Sequence, residues 1–134
     1  MWTAEYTIET VASAETVWGA WADVPSWPVW NADLARAELS GPFAAGSAIT
    51  MTPRAGEPVE LVIDSAERPD HFVDEARVGD AVVRTIHRID EISAARRRIT
   101  YRMEITGPEG ERLGPAISGD FPELLAALVG YIEA

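Results

Sequence analysis

Between Leu34 and Thr106 the chain alternates apolar and polar residues through six consecutive segments. They lie near Leu34–Ser40, Ser47–Thr52, Val59–Glu67, His71–Val78, Ala81–Ile92 and Arg97–Thr106. Alternation at every second residue is the period of a half-buried strand. Most of the segments are separated by short punctuation: "GPF", "RAGEP", "RPD" and "VGDA". A parallel pairing needs a crossover of a dozen or more residues, and none of these connections is that long. The six strands are therefore expected to run as an antiparallel meander, with one face wet and the other covered. A seventh strand precedes them: in "WTAEYTIETV", residues 2–11, Ala4, Tyr6 and Ile8 alternate with Glu5, Thr7 and Glu9.

Helical segments supply the cover. In "SAETVWGAWADV", Ser13 is placed to cap a helix, with Thr16 where a full capping box has glutamate. Val17, Trp21 and Val24 recur at helical spacing, and Pro25 ends the run. "SWPVWN" has room for one more helical turn. "GPEGERLGP" reads as a loop, a gate before the last helix. Beyond it Leu113, Ile117, Phe121, Leu125, Leu128 and Ile132 form one stripe. Pro122 either kinks this long helix or starts its last segment. The order predicts an α+β class and a single domain, residues 1–134: a seven-stranded antiparallel sheet, two short helices between strands 1 and 2, and a long C-terminal helix on one face.

Composition removes several chemistries. The 134 residues are the length of one domain, and 47% are hydrophobic, enough for a core. There is no cysteine, hence no disulfide, thiolate metal site or cysteine nucleophile. All 11 basic residues are arginine, so lysine Schiff-base chemistry is excluded. A net charge of -11 repels phosphate backbones and anionic membranes, so neither nucleic acid nor membrane is an expected partner. No run of 18 apolar residues is present. "MWTAEYTIET" lacks the pattern of a secretory signal, so a cytoplasmic location is expected. No dinucleotide, serine-hydrolase or zinc motif occurs. His71 is 16 residues from His87 and on the opposite strand parity, which argues against a shared metal. Neither metal nor cofactor is expected.

The residues as a set resemble a known family. "SAETVWGAWADVPSWPVWN" is similar to the opening of the START-like, or SRPBCC, superfamily, in its polyketide cyclase/dehydrase and lipid transport branch. "LSGPFAAGSAITMTP" resembles its next signature, and "LGPAISGDFPELLAAL" its terminal helix. The resemblance covers essentially the whole chain. It implies a Bet v 1-like helix-grip fold: a curved sheet around the long helix, with a deep apolar cavity between them. It supplies no catalytic set, because the superfamily spans cyclases, dehydratases, hydrolases and carriers.

Site residues must come from strand parity. In "VVRTIHRI", Arg84 and Arg88 fall on one side, and Val83, Thr85, His87 and Ile89 on the other. The arginines face water, so His87 faces inward. A two-residue turn at Gly79-Asp80 sets Phe72 opposite His87, Asp74 opposite Thr85 and Ala76 opposite Val83. A turn centred on Ala94 sets His87 opposite Tyr101 and Ile89 opposite Ile99. A turn at Pro69-Asp70 sets Ser65 opposite Asp74 and Ile63 opposite Ala76. The three guesses place Ser65, Asp74, Thr85, His87 and Tyr101 on one inner face, among Ile63, Phe72, Val83 and Met103. The resemblance pairs the first strand with the last, which adds Tyr6 to the row. It also puts Trp27 and Trp30 where the cavity closes.

Each residue carries two readings. His87 is a hydrogen-bonded core residue or an acid/base group. Asp74 lines a wet cavity beside His87, or a one-residue slip turns it outward. Tyr101 packs with a tethered hydroxyl or donates to an oxyanion. Trp21 belongs to the core, whereas Trp27 and Trp30 are core or ligand wall. The leading expectation is a monomer or homodimer that binds a small hydrophobic or aromatic ligand. One alternative is a cofactor-free cyclase, dehydratase or isomerase using His87, Asp74 and Tyr101. The other is an interaction protein acting through its acidic surface.

Overall fold

The computed structural model describes all 134 residues. Seven strands run β1 (Trp2–Thr10), β2 (Leu34–Ser40), β3 (Ala48–Pro53), β4 (Val59–Glu67), β5 (His71–Val78), β6 (Ala81–Ser93) and β7 (Arg96–Thr106). They form one antiparallel sheet in the order β1-β7-β6-β5-β4-β3-β2. Strands adjacent in sequence are adjacent in space, except that β1 closes on β7. The first and second strands therefore sit at opposite edges. The segment between them crosses the sheet as α1 (Ala14–Ala22), one 3-10 turn, and α2 (Trp27–Trp30).

Local chemistry accounts for these boundaries. Ser13 Oγ accepts the Thr16 N–H at 3.1 Å, satisfying one orphan donor at the start of α1. At the β5–β6 turn the only positive φ is that of Gly79, at 61°, the pattern of a II′ hairpin. Register breaks between Leu34/Arg36, Ile63/Ser65 and Glu91/Ser93 mark bulges, which bend and twist a sheet. The outward face carries crossed ion pairs: Arg84 reaches Asp64 at 3.0 Å and Glu75 at 3.2 Å, and Arg102 reaches Glu104 at 3.0 Å. These groups are partly solvated, so each pair adds little stability.

The inward face meets the long C-terminal helix, and of the two roles open to Pro122 the structure shows the restart: the helix is bent and divided into α3 (Gly110–Ser118) and α4 (Phe121–Ile132). Pro122 has no N–H for the Ser118 carbonyl and its ring crowds that carbonyl, so the ladder breaks and Pro122 occupies the first turn of α4. One expectation here needs correcting. The segment "GPEGERLGP" is not a loop throughout, since α3 begins inside it at Gly110. Its glycines serve packing: a Cβ on Gly114 would lie 2.4 Å from the Trp2 ring, and one on Gly110 2.9 Å from Trp2 Cβ. Trp2 can therefore lie directly against α3. At the far end Glu133 accepts hydrogen bonds from Thr10 Oγ1 at 2.6 Å and the Val11 N–H at 3.2 Å. That clamp ties the end of α4 to the β1–α1 corner. Trp21, Phe72, Ile99, Met103, Ile105, Leu125 and Leu128 are all but fully buried between sheet and helices. Each such side chain contributes roughly 1.5–3 kcal/mol by leaving water.

Candidate functional site

Beneath the helix break lies a cavity of about 390 Å³. Its walls come from four places. The strands supply Leu61, Phe72, Val83 and Met103; α1 and α2 supply Trp21, Trp27 and Trp30; α3 and α4 supply Leu113, Ile117, Phe121 and Leu124; the edge near β3 supplies Met51. Of 23 lining residues 17 are hydrophobic, so the few polar groups decide what orientation an occupant takes. Asp74, Thr85 and His87 sit deep, each less than a tenth exposed. Asn31, Asp33 and Asp120 lie at the α2–β2 loop and the α3–α4 joint, where both aspartates are exposed. Val59 and Val78, more than a third exposed, complete the rim on the sheet side.

The registers that place the deep groups are those the hairpins predict. Phe72 faces His87, Asp74 faces Thr85, and His87 faces Tyr101. The His87 ring stacks on Phe72, with centroids 3.8 Å apart and planes 6° apart, and meets Tyr101 edge-on at 4.6 Å. Its Nδ1–H donates to the Phe72 carbonyl at 3.2 Å. A carbonyl only accepts, so the neutral ring carries its proton on Nδ1 and keeps the Nε2 lone pair for an occupant. Burial lowers the His87 pKa to about 3, against a smaller opposing push from that carbonyl. The imidazole is neutral at physiological pH.

Asp74 does not meet His87. Its carboxyl makes no side-chain hydrogen bond within the chain, so the imidazole does not relieve its burial. The ring is instead turned onto Phe72. Desolvation, and then the charge of Glu75, raise the Asp74 pKa to about 7. The Tyr101 oxygen accepts the Trp21 Nε1–H at 3.0 Å, leaving its own proton for the cavity. Burial pushes this phenol up; the Trp21 bond opposes that, and the charge of Asp74 adds to it.

Thus His87, Asp74, Tyr101, Thr85, Phe72, Met103, Trp27 and Trp30 all line the cavity. Ser65, Ile63 and Tyr6 do not. The β4–β5 turn takes in Arg68 as well as Pro69 and Asp70, so Glu67 pairs with His71 and Ser65 faces Val73, while the bulge between Ile63 and Ser65 brings Ile63 opposite Asp74. Ser65 thereby falls off the inner face, while Ile63 remains inward as a buried core residue. Tyr6 does sit opposite Tyr101, but its ring packs edge-on to Phe121 at 5.7 Å. Its hydroxyl meets Ser118 Oγ at 3.2 Å. Because Ser118 donates to the Gly114 carbonyl at 2.8 Å, Tyr6 is the donor and is spent on α3.

Sequence reading missed the rim. Asp33 and Asp120 come together only because the α3–α4 break lies over the α2–β2 loop. Partial desolvation of its carboxyl at the joint, then the hydrogen bond and charge of Asp33, raise the Asp120 pKa. Trp21, read as core, is also cavity wall and the donor that orients Tyr101. The Trp30 indole N–H is buried without a partner.

No family model matches this sequence, and no curated protein matches it significantly. Solved structures do match. Norcoclaurine synthase from Thalictrum flavum, in complex with dopamine and hydroxybenzaldehyde, is similar over 98% of this chain and 86% of its own, with TM-score 0.78 and 15% identity. A START superfamily protein from Mycobacterium smegmatis is similar over 98% and 97%, with TM-score 0.75 and 19% identity. DynU16, a protein in the dynemicin biosynthetic locus, is similar over 98% of this chain and 47% of its own, with TM-score 0.78 and 18% identity. At such identities the likeness is one of fold. The chain has the START-like helix-grip fold that its sequence resembles.

Proposed function

We propose that this chain binds a small aromatic or hydrophobic molecule in the cavity between the sheet and the α3–α4 joint. One observation carries the reading. An apolar hollow holds a carboxyl, a hydroxyl and an imidazole nitrogen that the chain itself leaves without partners. Buried polar groups are normally satisfied, so these are groups for an occupant. Indole, phenol and phenyl walls suit a flat ring. The aromatic pair bound by norcoclaurine synthase is of compatible size and character.

The test uses N-phenyl-1-naphthylamine, whose emission rises in apolar surroundings. Native protein is expected to bind it saturably, and binding must raise the melting temperature. Ala76→Phe, which fills the cavity from β5, is expected to abolish the signal while circular dichroism stays native. Equal binding by wild type and Ala76→Phe would reject the cavity as the site.

A second reading, proton transfer without a cofactor, is favoured by the Asp74 carboxyl near neutrality. Asp74 then takes and returns the proton, and Tyr101 donates to developing oxygen charge. His87 is too weakly basic for the role of general base. It would orient the substrate through Nε2.

A further inference from the structure

The cavity is one-signed. Its lining contains Asp74, Asp33 and Asp120 and no arginine, and the chain has no lysine. Arg54 is tied to the same rim loop, but its Nε is spent on the Ala32 carbonyl at 2.8 Å and it does not line the hollow. His87, the remaining basic group inside, has its only N–H committed to Phe72. An anionic occupant would find no counter-charge. Asp74, by contrast, is 5% exposed and unpartnered, and it faces the cavity. The fold has already desolvated that carboxyl, so a cation gains its attraction without stripping it further.

We propose that the polar end of the ligand is a protonated amine seated on the Asp74 carboxylate, and that anionic analogues are excluded. This rests on the cavity being a binding site, and it adds the charge class of what binds. The amine donates to Asp74 and has the Thr85 hydroxyl and His87 Nε2 as further acceptors. The aromatic body lies toward the tryptophans. Asp33 and Asp120 draw cations to the rim. The titratable or charged groups around Asp74 are His87 and Tyr101 inside, Glu75 beside it on β5, and the two rim aspartates.

Three matched probes test the assignment in the full chain at pH 7.5: 2-(1-naphthyl)ethylamine, 2-(1-naphthyl)ethanol and 3-(1-naphthyl)propanoate. A charge-assisted bond is about twice as strong as a neutral one. The amine is therefore expected to bind about tenfold tighter than the alcohol, and the propanoate weakest. In Asp74→Asn the advantage of the amine should vanish. Calorimetry at pH 6.5 in two buffers of different ionisation enthalpy is a second readout. The amine should release protons from wild type, and the alcohol none. Equal affinities for amine and alcohol, an advantage that survives in Asp74→Asn, or amine binding without proton release would each overturn the assignment while leaving cavity binding intact. Failure of all three probes to bind would overturn both.

Discussion

Asp74 and His87 should impose opposite and nearly cancelling pH dependences on stability, and removing either should expose the other. The native Asp74 carboxyl titrates near 7, against 3.8 for the free group. Between those values the native state holds a proton that the unfolded state has lost. Stability therefore falls as pH rises, by about 1.4 kcal/mol per pH unit. Over about three pH units the loss is about 4 kcal/mol. Native His87 titrates near 3, against 6.5 when free. Between those values the unfolded state holds the extra proton, and stability rises with pH at the same rate. The two windows overlap from about pH 4 to 6.5, where the slopes cancel.

Urea unfolding followed by tryptophan emission, at half-unit steps from pH 4 to 8, reads this directly. Wild type minus Asp74→Asn cancels every other titrating group. Near pH 4 the two proteins should have similar stability. By pH 8 the Asp74→Asn protein should be more stable by about 4 kcal/mol, with unchanged denaturant slope. His87→Phe, which keeps the stack on Phe72, should show the uncompensated fall between pH 4.5 and 6.5. Parallel pH profiles for wild type and Asp74→Asn would refute the claim that the carboxyl is buried without a partner.

Two further outcomes follow from the same structure. If Asp74 is a usable base, 5-nitrobenzisoxazole should be opened in the cavity, its ring C–H proton passing to Asp74 as the N–O bond breaks to a phenolate. The rate should climb through about pH 7 and drop at least about tenfold in Asp74→Asn; an unchanged rate in that variant rejects the role. Gly114→Ala would gain up to about 1 kcal/mol of helix propensity. It would also drive a methyl into Trp2, where the Cβ has 2.4 Å of room, at about 1–3 kcal/mol. A lower melting temperature is expected, and a rise would show that Trp2 moves aside freely.

The sheet was legible because its hairpins are short and its faces differ in polarity. Gly79-Asp80 alone sets three cross-strand pairs correctly: Ala76 with Val83, Asp74 with Thr85, and Phe72 with His87. The β6–β7 register also comes out right, although the turn is shorter than expected. Ser93 pairs with Arg96, and the bulge before Ser93 absorbs the difference. At β4 the reading fails at the turn. Arg68 joins Pro69 and Asp70 in a three-residue connection, so Glu67 rather than Arg68 pairs with His71 and Ser65 slips off the inner face; the bulge between Ile63 and Ser65 then leaves Ile63 inward. The split of α3 from α4 was half legible: Pro122 marks the place, but a kink and a restart share one signature in the sequence.

What strand parity cannot deliver is side-chain direction within a face. Asp74 and His87 are diagonal neighbours, close enough for contact. A charged pair would nonetheless have desolvated two ions to make one bond, a poor exchange in a low-dielectric interior. The ring gains more by lying flat on Phe72 and donating to its carbonyl. That leaves the carboxyl alone with the cavity. The consequence is functional. A paired Asp74 would be permanently ionised and satisfied, with nothing to offer an occupant. Left unpaired, it can switch charge within the neutral range according to what enters, because a cation beside it lowers its pKa and an apolar ring raises it further. On the proposed reading, the same carboxyl that weakens the empty fold as pH rises from about 4 to 7 is the group through which the fold would tell one ligand from another.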